Sequence, residues 1–126
     1  MQDGARPLVT VELIDEVLDA ARVYLAAAPA VPVRDTIKVA HDGIVERTPD
    51  RSALFAVQTP QVFAADLLKA ALQSAIADGA TITDDCSAVE RMGKEVHLTD
   101  GSEENIKITT PVDLAIAEAI LQRRGE

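Results

Sequence analysis

Aromatic residues are nearly absent from this chain: one tyrosine, two phenylalanines and no tryptophan, 2% of 126 residues. An aromatic-rich β-sandwich is a poor fit to that composition. Apolar residues still make up 48%, so the core must be built from Ala, Val, Leu and Ile, which suits α/β layering. Cysteine is present once, at Cys86, which excludes an internal disulfide framework and a cysteine zinc site. Asp84 and Asp85 beside it raise a thiol pKa rather than lower it, so Cys86 reads as a small buried or half-buried residue and not as a nucleophile.

Other absences narrow the function. No apolar run is long enough to span a membrane, and the first residues lack a signal-peptide pattern; a reducing, cytoplasmic setting is the default expectation. Basic residues number 12 against 21 acidic ones, a net charge of −9. Such a surface repels nucleic acid. A small phosphorylated substrate is compatible with it where a few cations converge. The glycines, at positions 4, 43, 79, 93, 101 and 125, match neither G-x-G-x-x-G nor a P-loop. His41 and His97 lack metalloprotease spacing and read as a turn residue and a strand-surface residue. No Ser-His-Asp set can be assembled.

What is present has the length of one domain with one core. Apolar positions recur at helical spacing from Val11 to Ala28, with Thr10 as cap and Pro29 as stop. Val31–Val39 is strand-like, with Pro32 marking a start or an edge. His41-Asp42-Gly43 separates two β-rich runs, 36–39 and 44–48, and predicts a hairpin. That hairpin carries little apolar surface, so it is expected to pack on something else, such as a second subunit. A strand follows at 54–58, then an amphipathic helix at 64–78 closed by Gly79. A short helix capped by Asp84 or Asp85 runs to Met92 and is closed by Gly93. Strands are expected at 95–99 and 105–109. The last helix runs from Pro111 to about Arg124, with Leu114, Ile116, Ala119 and Ile120 as its apolar side.

The run Asn105-Ile-Lys-Ile-Thr-Thr-Pro-Val-Asp-Leu is the most informative segment. Lys107 alternates with Ile106 and Ile108, so it points to the opposite face. Thr110, Pro111 and Asp113 make a strong helix start. A cation beside a helix N-terminus is suited to holding phosphate; the alternative is an exposed lysine on an edge strand. Arg6, Arg34, Lys38 and Arg51, with Thr36, Thr59 and Thr83, lie in loops and at element ends. Each alone reads as a surface group, and together they suit a pocket for phosphate and polyol.

Taken in order, Asp3-Gly-Ala-Arg-Pro, Pro32-Val-Arg-Asp-Thr-Ile-Lys, Asp50-Arg51, Gln58-Thr-Pro-Gln-Val-Phe, Thr83-Asp-Asp-Cys-Ser-Ala-Val-Glu and the Asn105–Leu114 run resemble the 2-C-methyl-D-erythritol 4-phosphate cytidylyltransferases. The resemblance covers nearly the whole chain but only the second half of the family's domain. It implies an α/β fold: the second half of a Rossmann-like nucleotidyltransferase domain, residues 1–126, with a protruding β-hairpin arm at about 35–52 that clasps a partner subunit in a homodimer. It also implies transfer of a cytidylyl group from CTP to 2-C-methyl-D-erythritol 4-phosphate, with magnesium as the divalent ion. Substrate contacts carry over to Asp3, Thr59, Thr83 and Lys107 of one subunit, and to Thr36 and Arg51 reaching over from the other. Lys107 and Arg51 take the catalytic role by resemblance. Arg6 lies in the same loop as Asp3, and Asp3 is the nearest metal candidate. Cys86 replaces the family's usual small residue.

The family's N-terminal loop, rich in alanine and glycine, binds the CTP phosphates and has no counterpart in this sequence. A chain inactive alone, or one that behaves as a piece of the enzyme, is therefore the expectation. Two alternatives share the motifs: a cytidylyltransferase for another polyol phosphate such as ribitol 5-phosphate, and a non-catalytic dimerisation module. Without its other half the chain is expected to be marginal, swapped or oligomeric.

Overall fold

The structure is a computed structural model and describes residues 3–125. Helix α1 (Val11–Tyr24) starts where the Thr10 hydroxyl accepts from the Leu13 N–H, and ends at Leu25, whose φ of 71° is left-handed. Leu13, Val17 and Ala21 form its buried stripe.

The chain reverses at Leu25 and enters strand β1 (Ala26–Pro32). The helix expected to reach Ala28 thus stops at Tyr24. Alanine favours helix, but Ala26, Ala27 and Ala28 are fully buried, and tertiary burial overrides that preference. Side chains alternate along β1. Ala27 packs on α1 with Leu13, Val17 and Ala21, and Ala26 packs on the other layer with Ala71, Ala88 and Val89.

Strand β1 is the centre of the main sheet. On one side it pairs antiparallel with β4 (Phe55–Val57) and β5 (Val62–Phe63), and on the other it pairs parallel with β6 (His97–Asp100). Residues 26–27 meet β5 and residues 30–32 meet β4. Pro29 falls at the hand-over, where its missing N–H interrupts no register pair on that side. Helices α2 (Ala65–Ala77) and α3 (Asp85–Arg91) cover the second face, and Asp84 caps α3 through the Ser87 N–H. The parallel pair and the helices on both faces make this an α/β fold.

A second, two-stranded sheet is the hairpin of β2 (Val39–His41) and β3 (Ile44–Arg47). Its turn is Asp42-Gly43, both with positive φ (51° and 79°), so His41 belongs to the strand and not to the turn. The first arm begins at Val39, later than the expected 36–39. Ile44 and Val45 are 72% and 53% exposed, so the arm does not pack on this chain's core.

Two further expectations fail. Residues 105–109 form no strand; the segment is held to the Asp3 loop by one backbone bond, Ile108 N–H to the Ala5 carbonyl, 2.8 Å. Helix α4 (Pro111–Arg124) forms as expected, with a full capping box between Thr110 and Asp113. Its buried residues are Ala117 and Ile120, however, while Leu114, Ile116 and Ala119 are not among them. Ile106, Ile108 and Leu8 set which side is covered, because they form a separate small core with Ala117 and Ile120. Strand β5 has no counterpart among the expected elements, being only two residues long. The strand expected at 95–99 is β6, shifted to start at His97. Among the described residues, no helix is long and apolar enough to cross a membrane.

Candidate functional site

The site lies where the loop following β6 crosses the chain on either side of Thr59. Gly101 makes the crossing possible. Its N–H donates to the Ala30 carbonyl at 2.9 Å, and a Cβ there would stand 2.6 Å from Gln58 Oε1 and 3.0 Å from the Ala30 backbone. A side chain there would displace the Gln58 amide and press on the Ala30 backbone. The loop follows the carboxyl end of β6, the parallel partner of β1, the end of the strands at which open α/β sheets bind ligands.

Four of the seven candidate residues converge there. The Asp3 N–H donates to Thr59 Oγ1 at 3.0 Å. The Asp3 carboxylate accepts from the Ala5 N–H at 3.0 Å and faces Lys107 Nζ at 3.6 Å. Arg6 donates from its guanidinium to the Asn105 carbonyl at 2.6 Å. The Ala5 N–H holds the Asp3 carboxyl below its ordinary value; burial opposes this, and the Lys107 ammonium adds to the lowering. Burial draws the Arg6 pKa down and Asp3 counters it. A guanidinium stays charged at neutral pH in any case.

Thr83 takes part in none of these bonds. It shares a hydroxyl hydrogen bond with Ser87 at 2.9 Å, and its turn is tied to the Thr59–Pro60–Gln61 segment through Gln61. The Gln61 amide donates to Asp84 Oδ2 at 3.1 Å, and its oxygen accepts from the Cys86 N–H at 3.2 Å. Cys86 itself is buried. Burial first, then Asp84, Glu90 and Asp85, push its thiol up to about 12, in line with an inert structural residue.

Thr36 and Arg51 lie elsewhere. Both are exposed, at the root of the arm and in the helical turn after it. Arg51 donates to the Arg34 carbonyl at 2.7 Å, and Arg34 pairs with Glu103 at 2.5 Å. The arm is thus fastened to the loop that carries Lys107, without placing Arg51 on Asp3.

Three residues with no role assigned from sequence hold the site together: Gln58, Gln61 and Asn105. Among the described residues they are the buried polar side chains, at 6%, 6% and 1% exposure. All three fall inside the motifs already singled out, but polar side chains in a sequence read as surface. The one available signal is their position at the ends of apolar runs.

The residues present do not fit a protein-built cage for magnesium. Among the described residues, no three His, Cys, Asp or Glu side chains gather as a metal-binding group. The Asp3 carboxylate already answers Ala5 and Lys107.

The fold is that of part of an α/β nucleotidyltransferase domain. The model of one family, IspD: 2-C-methyl-D-erythritol 4-phosphate cytidylyltransferase, matches residues 1–123, and the chain belongs to that family. A cytidylyltransferase of that name from Caldanaerobacter subterraneus subsp. tengcongensis is 53% identical over 124 residues, covering 98% of this chain and 55% of the relative. The crystal structure of the Thermus thermophilus enzyme superposes with a TM-score of 0.86 at 39% identity, covering 96% of this chain and 60% of that one. The Francisella tularensis structure gives 0.87 at 31% identity, covering 94% and 56%. The chain spans about half the length of the curated relatives it matches.

Proposed function

We propose that this chain supplies the acceptor side of a cytidylyl transfer from CTP to 2-C-methyl-D-erythritol 4-phosphate. The convergence of Asp3, Arg6, Thr59 and Lys107 carries this reading. Two cations and a hydroxyl meet in a chain of net charge −9, and a small dianion is stabilised only where cations are concentrated.

In the reaction, a 4-phosphate oxygen forms a bond to the α-phosphorus of CTP. The bond between that phosphorus and the bridging oxygen breaks, and pyrophosphate leaves. No covalent enzyme intermediate is needed. The protein must align two anions and balance the charge that builds between them. Lys107 and Arg51 carry that charge, while Thr59, Thr83 and Arg6 orient the sugar phosphate. Asp3 accepts from a substrate hydroxyl and fixes Lys107. A divalent ion, when one serves the reaction, is carried by the triphosphate more than by Asp3.

Thr36 and Arg51 serve the site of a second subunit through the arm, in a homodimer. Absence of nucleic acid among the partners is supported by the acidic charge, and a cytoplasmic setting by the single thiol. A second reading, a non-catalytic assembly module, draws on the arm, whose Ile44 and Val45 are exposed in the single chain.

Calorimetry separates the two readings. The purified chain is titrated with methylerythritol phosphate, and with CTP and magnesium, before and after adding a polypeptide matching the relatives' first half. The proposal expects the sugar phosphate to bind, and CTP to bind with turnover once the first half is supplied. Absence of sugar-phosphate binding in both conditions overturns it in favour of the assembly module.

A further inference from the structure

We infer that Asn105 is a positioning residue that sets Lys107 and Thr59 in register for the acceptor phosphate, with Gln58 as its support. The inference rests on the acceptor-side reading and names residues to which that reading gave no part.

Asn105 is 1% exposed, and its Oδ1 has no hydrogen-bond partner among the described residues. A buried amide left half unsatisfied is costly, so the bonds of its Nδ2 are what hold it in place. Its Nδ2 donates twice, to Gln58 Oε1 at 3.2 Å and to the Thr59 carbonyl at 3.0 Å. Its own backbone carbonyl accepts from Arg6 at 2.6 Å. One residue therefore bonds to two of the four converging groups and stands two positions before a third, Lys107.

Gln58 completes the clamp. Its Nε2 donates to the Ser102 carbonyl at 2.8 Å, and its Oε1 accepts from the Ser102 N–H at 3.2 Å. The loop from Gly101 to Asn105 is thus pinned at both ends to the Gln58–Thr59 pair. No ladder does this work, since residues 105–109 are not a strand. Side-chain amides take the place that a sheet pairing holds elsewhere. Such a buried network fixes one geometry only when its donors face acceptors. An amide is needed at 105 because both of its partners are oxygens. A carboxylate of the same shape would face them with no donor.

The test uses this chain carrying Asn105→Asp, with Asn105→Ser as the milder variant should the first fail to fold. Two quantities are read: amide hydrogen exchange at Ile108, whose N–H bonds to the Ala5 carbonyl, and affinity for methylerythritol phosphate by calorimetry. Val89→Ala, in the core of the second layer, serves as a control that lowers stability without touching the clamp. Loss of positioning predicts that Ile108 exchanges more than tenfold faster relative to the amide of Val17, in the core of the first layer, and that sugar-phosphate affinity falls at least tenfold. The control should move neither ratio. Ile108 protection within twofold of the original chain overturns the inference, as does an equal loss of affinity in the control. Should the unaltered chain not bind the sugar phosphate, the acceptor-side reading fails, and the Ile108 ratio alone decides the role of Asn105.

Discussion

Lys107 Nζ stands 3.6 Å from Asp3 Oδ2, joining residues from opposite ends of the chain with no strand pairing between the loops that carry them. Asp3 is held below its ordinary pKa mainly by the Ala5 N–H, with Lys107 as a further cause. A carboxyl with a depressed folded-state pKa contributes stability above its unfolded value, near 3.8, and that contribution is lost as pH falls through the folded value. Replacing Lys107 with alanine should raise the Asp3 pKa part of the way back, because the Ala5 bond remains. Carboxyl-carbon NMR titration reads this directly, and an unmoved Asp3 titration would show that the pair is not formed in solution.

Gly101→Ala should destabilise the chain. The added Cβ meets Gln58 Oε1 and the Ala30 backbone, and the backbone cannot swing aside. Overpacking of this kind costs about 1–3 kcal/mol. Denaturant melts should show the loss, and a midpoint equal to that of the original chain would mean that the crossing is looser than described.

Cys86 should resist alkylation in the folded chain. With its thiol pushed up to about 12 from 9.0, the thiolate fraction near pH 8 falls roughly a thousandfold below that of an ordinary cysteine. The unfolded thiol ionises first, so this group makes folding less favourable as pH rises from about 9 toward 12. Iodoacetamide labelling followed by mass spectrometry, with and without denaturant, is the check; rapid native labelling would contradict the burial.

Ile44→Asp in the arm should leave thermal stability within about 0.5 kcal/mol, as an exposed change away from the core does. Ile44 is 72% exposed in the single chain. Where the arm clasps a second subunit, the same change should shift sedimentation from dimer to monomer. Unaltered sedimentation of a dimeric chain would remove the arm from the interface.

The sequence pointed clearly to the helices, because their caps are local chemistry. Thr10, Asp84 and the Thr110–Asp113 box behave as their residue types dictate. It misled at Ala26–Pro32, where an alanine run became the central strand for reasons that lie in the layers above and below it. It misled again at 105–109, where alternation of Ile106, Lys107 and Ile108 gave the right faces without a ladder. Site candidates were legible through motif order, and Asp3, Arg6, Thr59 and Lys107 do meet. The amides that bring them together were not legible, since burial of a polar side chain is a property of the folded chain alone.

Along the central strand, Ala26, Ala27 and Ala28 are fully buried, so most of the bulk that fills both layers comes from the helices, and β1 acts as a thin partition between them. At these three positions a larger side chain would have to displace helix side chains on one face or the other. Drift in this protein is therefore channelled into the helices and the arm, while the least distinctive letters of its sequence are the ones least free to change.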